Sequence, residues 1–189
     1  MSLLTLCEWL ESTRWSIALH ESQYAYSIVE SVHVWALCLF VGFAIVLDLR
    51  LVGATLRRIP VSELAARLLP WTMLGFIVMV MSGVLLFYAI PVRSYHNVFF
   101  RVKLVLLLLA GINVWVFHSG IYRRVQEWDL APRPPRRARV AGALSLVLWL
   151  AIIFSGRMIA YNWFDCGKPQ SDLTRWLAAC GTYVDPYAE

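Results

Sequence analysis

Four long apolar runs constrain this chain more than any other feature. They lie at roughly 28–47, 71–92, 99–121 and 140–161. Each reaches the ~20 residues that, at a rise of ~1.5 Å per residue, cross a hydrocarbon core of ~30 Å. An all-α, integral membrane four-helix bundle is the fold this pattern predicts. Composition says the same: 60% of the 189 residues are hydrophobic and 15% charged, where an ordinary soluble domain is about half apolar and about a quarter charged. The surplus apolar surface has to face lipid, and nine Trp, eight Tyr and nine Phe supply rings suited to the two membrane interfaces.

Three regions follow. Residues 1–25 do not read as a signal peptide, because Glu8, Glu11 and Arg14 interrupt any apolar core. Leu3, Leu6, Cys7 and Leu10 instead share one helical face, which predicts an amphipathic helix on the membrane surface. Residues 26–164 form the bundle, and 165–189 a short tail. Basic residues collect in two loops, with Arg50, Arg57, Arg58 and Arg67 after the first span and Arg123, Arg124, Arg133, Arg136, Arg137 and Arg139 after the third. The positive-inside bias then places both loops in the cytoplasm and both termini outside, in the periplasm if the membrane is a bacterial inner membrane. The net charge of +5 is accounted for by this asymmetry and calls for no nucleic-acid partner. The bilayer itself is the expected partner. Residues 131–139, "APRPPRRAR", read as a solvated connector.

The tail cysteines, Cys166 and Cys180, fall where an oxidising compartment lets them pair. With a capped helical turn at Ser171-Asp172 between them, they predict a disulfide-closed lid; two unpaired thiols are the alternative. Cys38 and Cys7 read as small hydrophobes. No Cys-x-x-Cys, Cys-x-x-Cys-His or zinc-type spacing occurs, which argues against covalent haem and structural zinc.

Ranking the intramembrane polar residues by depth is the informative step. Spans one and three run in the same direction, and spans two and four return. On span one, His33 and Asp48 are fifteen residues apart, or ~22 Å along a helix, too far to serve one small ligand. The same interval separates Lys103 from His118 on span three. Two layers are therefore expected: an outer one of Glu30, His33, Tyr88, Lys103 and Arg157, and an inner one of Asp48, Arg50, Asn113 and His118. Ionisable residues in a bilayer cost ~2.5–3.5 kcal/mol each on insertion scales, so they tend to face the bundle interior and pair.

For the inner layer a structural explanation suffices, with Asp48 and Arg50 snorkelling to the interface and His118 donating to a carbonyl or to Asp48. In the outer layer the cations Lys103, Arg157 and potentially His33 outnumber the carboxylate of Glu30. Desolvated positive charge attracts an anion, and a b-type haem would bring two propionates while a neutral His33 ligates its iron. A bare ion-pair network is the alternative. Only His33 and His118 lie within spans, too few for two bis-histidine haems. One outer haem is what the histidines permit, on His33 with His96 or an open or weaker sixth position. Met79 and Met81 read as packing, and Gly75 and Gly83 as a small-residue face for helix approach.

The segments "ESQYAYSIVESVHVWALCLFVGFAIVLDLRLVG", "NVFFRVKLVLLLLAGINVWVFH" and "SGRMIAYNWF" resemble a family of small bacterial four-span membrane proteins defined only as a domain of unknown function, over nearly the whole chain up to about Phe164. More distantly, His33 and the Phe-x-x-Lys-Leu opening of span three are similar to the copper-resistance protein D type and to the HemJ type of protoporphyrinogen oxidase. In the HemJ type an early-helix histidine and a lysine opening a later helix are the functional pair, and haem b is bound. That resemblance implies such roles for His33 and Lys103.

Three functional expectations result. The first is an inner-membrane protein that binds one haem near the outer face and exchanges electrons with a membrane or periplasmic partner. Here His33 ligates iron, Lys103 and Arg157 meet propionates, and Glu30 tunes His33. The second is copper handling or ion transport, for which soft ligands within the spans are few. The third is a non-catalytic accessory subunit. The sequence has no phosphate-binding Gly-rich loop and no nucleophile-base-orienter set that can be placed together.

Overall fold

A computed structural model describes residues 2–161, 166 and 171–182. Residues 162–164 of the third resemblance segment, and much of the predicted tail, lie outside that range. The described residues are mostly helical, with no strand among them, and include four helices long and apolar enough to cross a membrane.

The first 25 residues fold as two helices instead of one, α1 (Leu3–Glu11) and α2 (Arg14–Glu21). Ser12 and Thr13 separate them because Thr13 caps the second, its side chain accepting from the Ser16 backbone N–H. The four long elements are α3 (Ala25–Val52), α4 (Val61–Ala89), α6 (Val98–Val116) and α7 (Arg136–Ile159). Short helix α5 (Pro91–His96) joins α4 to α6, and α8 (Asp172–Leu177) follows in the tail with Ser171 as its N-cap.

Every long helix departs from its sequence-read bounds. Helix α4 begins ten residues before Trp71 and runs through Pro70, as membrane helices tolerate when neighbours compensate the lost backbone donor. Helix α7 starts at Arg136, so the last four residues of the supposed connector are helical; Pro135, the N-cap, sets the chain direction and the arginine side chains stay exposed. Helix α3 stops at Gly53, whose φ of +83° closes the end by Gly53 N–H to Arg50 C=O and Ala54 N–H to Leu49 C=O. The third run is the one that breaks up: after Val116 come a π-helical turn at Phe117–Ile121 and a 3-10 segment at Tyr122–Glu127.

The long helices alternate in direction, with α3 packed on both α4 and α7, and α7 packed in turn on α6. The α4–α6 side has no comparable backbone packing, although Phe87 and Phe100 stack across it at 5.6 Å. At the α3–α4 crossing the backbones nearly touch: a Cβ on Gly75 would lie 2.9 Å from the Phe40 nitrogen. The middle of the bundle is filled by Ala36, Phe40, Met79, Leu148, Trp149 and Ile152, with Phe40 and Trp149 edge to face at 4.9 Å. Trp35, Leu108, Trp115 and Leu150 point outward, where lipid would cover them.

Both described chain ends pack at the same end of the bundle. Ser16 donates to the Tyr88 carbonyl (2.7 Å), and the Thr13 and Tyr88 hydroxyls hydrogen-bond to each other. On the other side, Arg101 donates to the Leu177 carbonyl (2.8 Å), and His96 Nδ1 meets the Ala178 carbonyl (3.0 Å). Cys166 and Cys180 are joined by a disulfide, S–S 2.07 Å.

Candidate functional site

Residues that the sequence puts at one level point in different directions. His33 is half-buried and turns toward α4, with Nδ1 3.0 Å from the Ser82 hydroxyl. The Ser82 Oγ also lies 2.7 Å from the Val78 carbonyl and 3.1 Å from that of Met79. A hydroxyl has one proton, and serine within a helix gives it to the carbonyl one turn back. Ser82 then accepts from His33, the proton sits on Nδ1, and Nε2 carries the lone pair. Gly83 makes room for the ring: a Cβ there would approach its Cε1 to 3.2 Å.

Lys103 is half-buried and crosses from α6 to α7, where a Cβ on Gly156 would stand 3.6 Å from Nζ. Lys103 and His33 are close enough to act on each other electrostatically. Among the described residues the only salt bridge is Arg67–Glu63 at 2.6 Å, so Lys103 has no carboxylate partner there. Two glycines on opposite helices thus accommodate an imidazole and an ammonium at the end of the bundle where the termini lie.

The other members of the predicted outer layer are not with them. Glu30 is exposed and lies within electrostatic range of Tyr26 instead, as does Arg93. Arg157 is exposed, donating to the Tyr161 hydroxyl (3.2 Å) and lying 5.2 Å from that ring. Tyr88 is held by α2, as described above. His96 is buried with its Nδ1 on the Ala178 carbonyl, where it helps dock the tail.

The predicted inner layer divides as well. Arg50 does not snorkel: it is fully buried, donating from Nε to the Ile59 carbonyl (2.9 Å) and from a terminal nitrogen to those of Ala131 (3.3 Å) and Asp129 (3.4 Å). It ties together the two loops that cover it, and Asp129 anchors α4 by accepting from the Ser62 N–H at 2.8 Å. His118 does not face the bundle interior. It lies in the π-helical turn, exposed, with Nδ1 3.0 Å from the Val114 carbonyl of its own segment. Asn113 donates to the Ala141 carbonyl (3.0 Å) and fastens α6 to α7. Asp48 is buried against α7, close to Gly142 and Ser145.

Ser82 and Ser145 are the site residues that sequence reasoning overlooked. Each is an isolated hydroxyl in an apolar run, three residues or fewer from a glycine, and that conjunction is a readable signal. Among the described residues no group of three or more His, Cys, Asp or Glu converges as a metal cluster would.

Residues 8–162 match the family described as "Family of unknown function (DUF6644)". The chain belongs to this family. The matched residues span all four long helices, His33 and Lys103 among them, and end before the disulfide. No specific similarity to the copper-resistance protein D or HemJ types accompanies the family match. No curated protein and no solved structure matches the chain.

Proposed function

We propose that this DUF6644 protein holds one b-type haem within the membrane, at the end of the bundle that carries its termini, and passes electrons to a membrane or periplasmic partner. The observation that carries the reading is the state of His33. Its Nδ1 lies 3.0 Å from the Ser82 hydroxyl, an arrangement that suits a proton on Nδ1 and leaves Nε2 as the nitrogen for a ligand. Lys103, a half-buried cation without a described counter-ion, suits a propionate. The fit to haem rests on these two residues, since Glu30 is exposed, Arg157 and His96 are engaged elsewhere, and a second protein ligand is not part of the proposal. Haem bound here would supply one-electron chemistry. The protein's own share is to hold the imidazole tautomer, balance the anionic edge and keep water away with the Phe40–Trp149 layer.

A bacterial inner membrane with both termini periplasmic is part of the same proposal. Arg57, Arg58, Arg123, Arg124 and Arg133 lie in the loops at the end opposite the termini, which the positive-inside bias would keep in the cytoplasm. The disulfide would then fall in the oxidising compartment.

The absorption spectrum of the detergent-purified protein, prepared with haem available, tests this. A Soret band that disappears in His33→Ala and weakens in Lys103→Met is expected. Retention of copper without a Soret band would point to copper handling. Loss of stability in His33→Ala with no chromophore or metal to lose would point to an accessory packing role.

A further inference from the structure

We infer that Asp48 is a proton-binding site, a carboxyl that takes up and releases H⁺ inside the loop-side half of the bundle. Among the described residues Asp48 is the one acid that is buried, at 7% exposure; Glu8, Glu11, Glu21, Glu30, Glu63, Glu127 and Asp172 are exposed and Asp129 is half-buried. Its Oδ2 is sealed from solvent and has no hydrogen-bond partner. A carboxylate oxygen left that way bears the full desolvation cost of its charge, whereas the neutral acid bears only that of a polar group. No described cation offsets the difference.

The groups around it bear this out. From α7, the Ser145 hydroxyl is the polar group that faces Asp48, and Gly142 lets the backbones close to the point where a Cβ would lie 3.0 Å from the Asp48 carbonyl oxygen. The arginines at the start of α7, Arg136, Arg137 and Arg139, are exposed. From α4, Glu63 and Arg67 are exposed and paired with each other. From α6, Asn113 gives its amide to Ala141, and His118 beyond it is exposed. Arg50, two residues along α3, directs its guanidinium to the loop carbonyls of Ile59, Asp129 and Ala131. No described cation lies within ion-pair distance of Asp48; the Arg50 guanidinium is the nearest along the chain, and the Ser145 hydroxyl is the one described group that donates to the carboxyl. A metal cation such as sodium is a poorer occupant, because hard cations need several oxygen ligands and the Ser145 hydroxyl is the one described side-chain oxygen facing this carboxyl.

Chemically the step is simple: one proton joins a carboxylate oxygen, and the charge of the site goes from −1 to zero. The site is independent of the haem reading, since the apolar layer of Phe40, Met79 and Trp149 separates Asp48 from His33.

Infrared spectroscopy of the full-length protein in detergent tests the inference. At pH 7 the wild type minus Asp48→Asn difference should contain the C=O stretch of a neutral carboxylic acid, above the amide I band. That band should move down in D2O and give way to carboxylate bands as pH rises. Carboxylate bands alone at pH 7 would overturn the inference. So would an acid band that sodium converts to carboxylate at fixed pH, which would assign the site to a metal cation. Should Asp48→Asn fail to fold, Ser145→Ala decides: removing the hydroxyl must shift the acid band to higher frequency, and a band that does not move belongs to another residue and refutes the assignment.

Discussion

Arg50 and Lys103 are two cations inside one bundle, and the protein treats them in opposite ways. Arg50 is enclosed by the loops after α3 and before α7, and three backbone carbonyls accept from it. Its planar fork suits that task, since one guanidinium reaches acceptors on two separate segments. Lys103 lies at the opposite end against Gly156, near an imidazole and without a described carboxylate. The first charge is held by loop backbone through Nε and one terminal nitrogen, the other terminal nitrogen being buried without a partner; the second has no carboxylate partner among the described residues. That contrast distinguishes the two charges better than depth in the membrane does.

The contrast breaks most visibly if both residues are neutralised. Arg50→Met should destabilise the bundle by about 3 kcal/mol or more, because buried loop carbonyls lose their donor, and Arg50→Lys should recover only part of it. Thermal unfolding in detergent measures both. Next in size is Gly75→Ala, expected to cost about 2 kcal/mol: the new methyl would have to displace Phe40 backbone at the α3–α4 crossing. Lys103→Met should leave stability unchanged or raise it by up to about 1 kcal/mol in protein free of ligand, since it removes a desolvated charge that lacks a partner. A loss as large as that of Arg50→Met would show that Lys103 is architectural too. The smallest effect on the bundle is expected from Cys180→Ser. It frees the disulfide-closed segment, so limited proteolysis should trim the tail faster while the melting temperature of the bundle hardly moves.

The number and order of membrane helices were legible because ~20-residue apolar runs have few other fates. Helix ends were not, because arginine and proline at Arg136 and Pro70 suggest interruption while lipid-side geometry tolerates both. His33 and Lys103, which their sequence intervals put at one level, lie within electrostatic range of each other. Direction around each helix was not legible. Glu30 is three residues from His33, about 60° around the helix, and this is enough to leave it on the surface while His33 turns to Ser82. Arg157 is one residue from Gly156, yet it stacks on Tyr161 while Gly156 faces Lys103. His118 likewise faces outward, its Nδ1 lying 3.0 Å from the Val114 carbonyl of its own segment. Burial of Arg50 depends on loop residues up to 81 positions away, a long-range effect that no local pattern encodes.

The central claim, that His33 and Lys103 hold a haem and are not a packing pair, is tested most directly by one comparison. Full-length wild type and His33→Ala are purified in detergent from cells supplied with haem, and their absorption spectra are recorded at equal protein concentration. The account predicts a Soret band in the wild type that is lost in a variant that remains folded by circular dichroism. Equal spectra from the two proteins, with or without a Soret band, would contradict it.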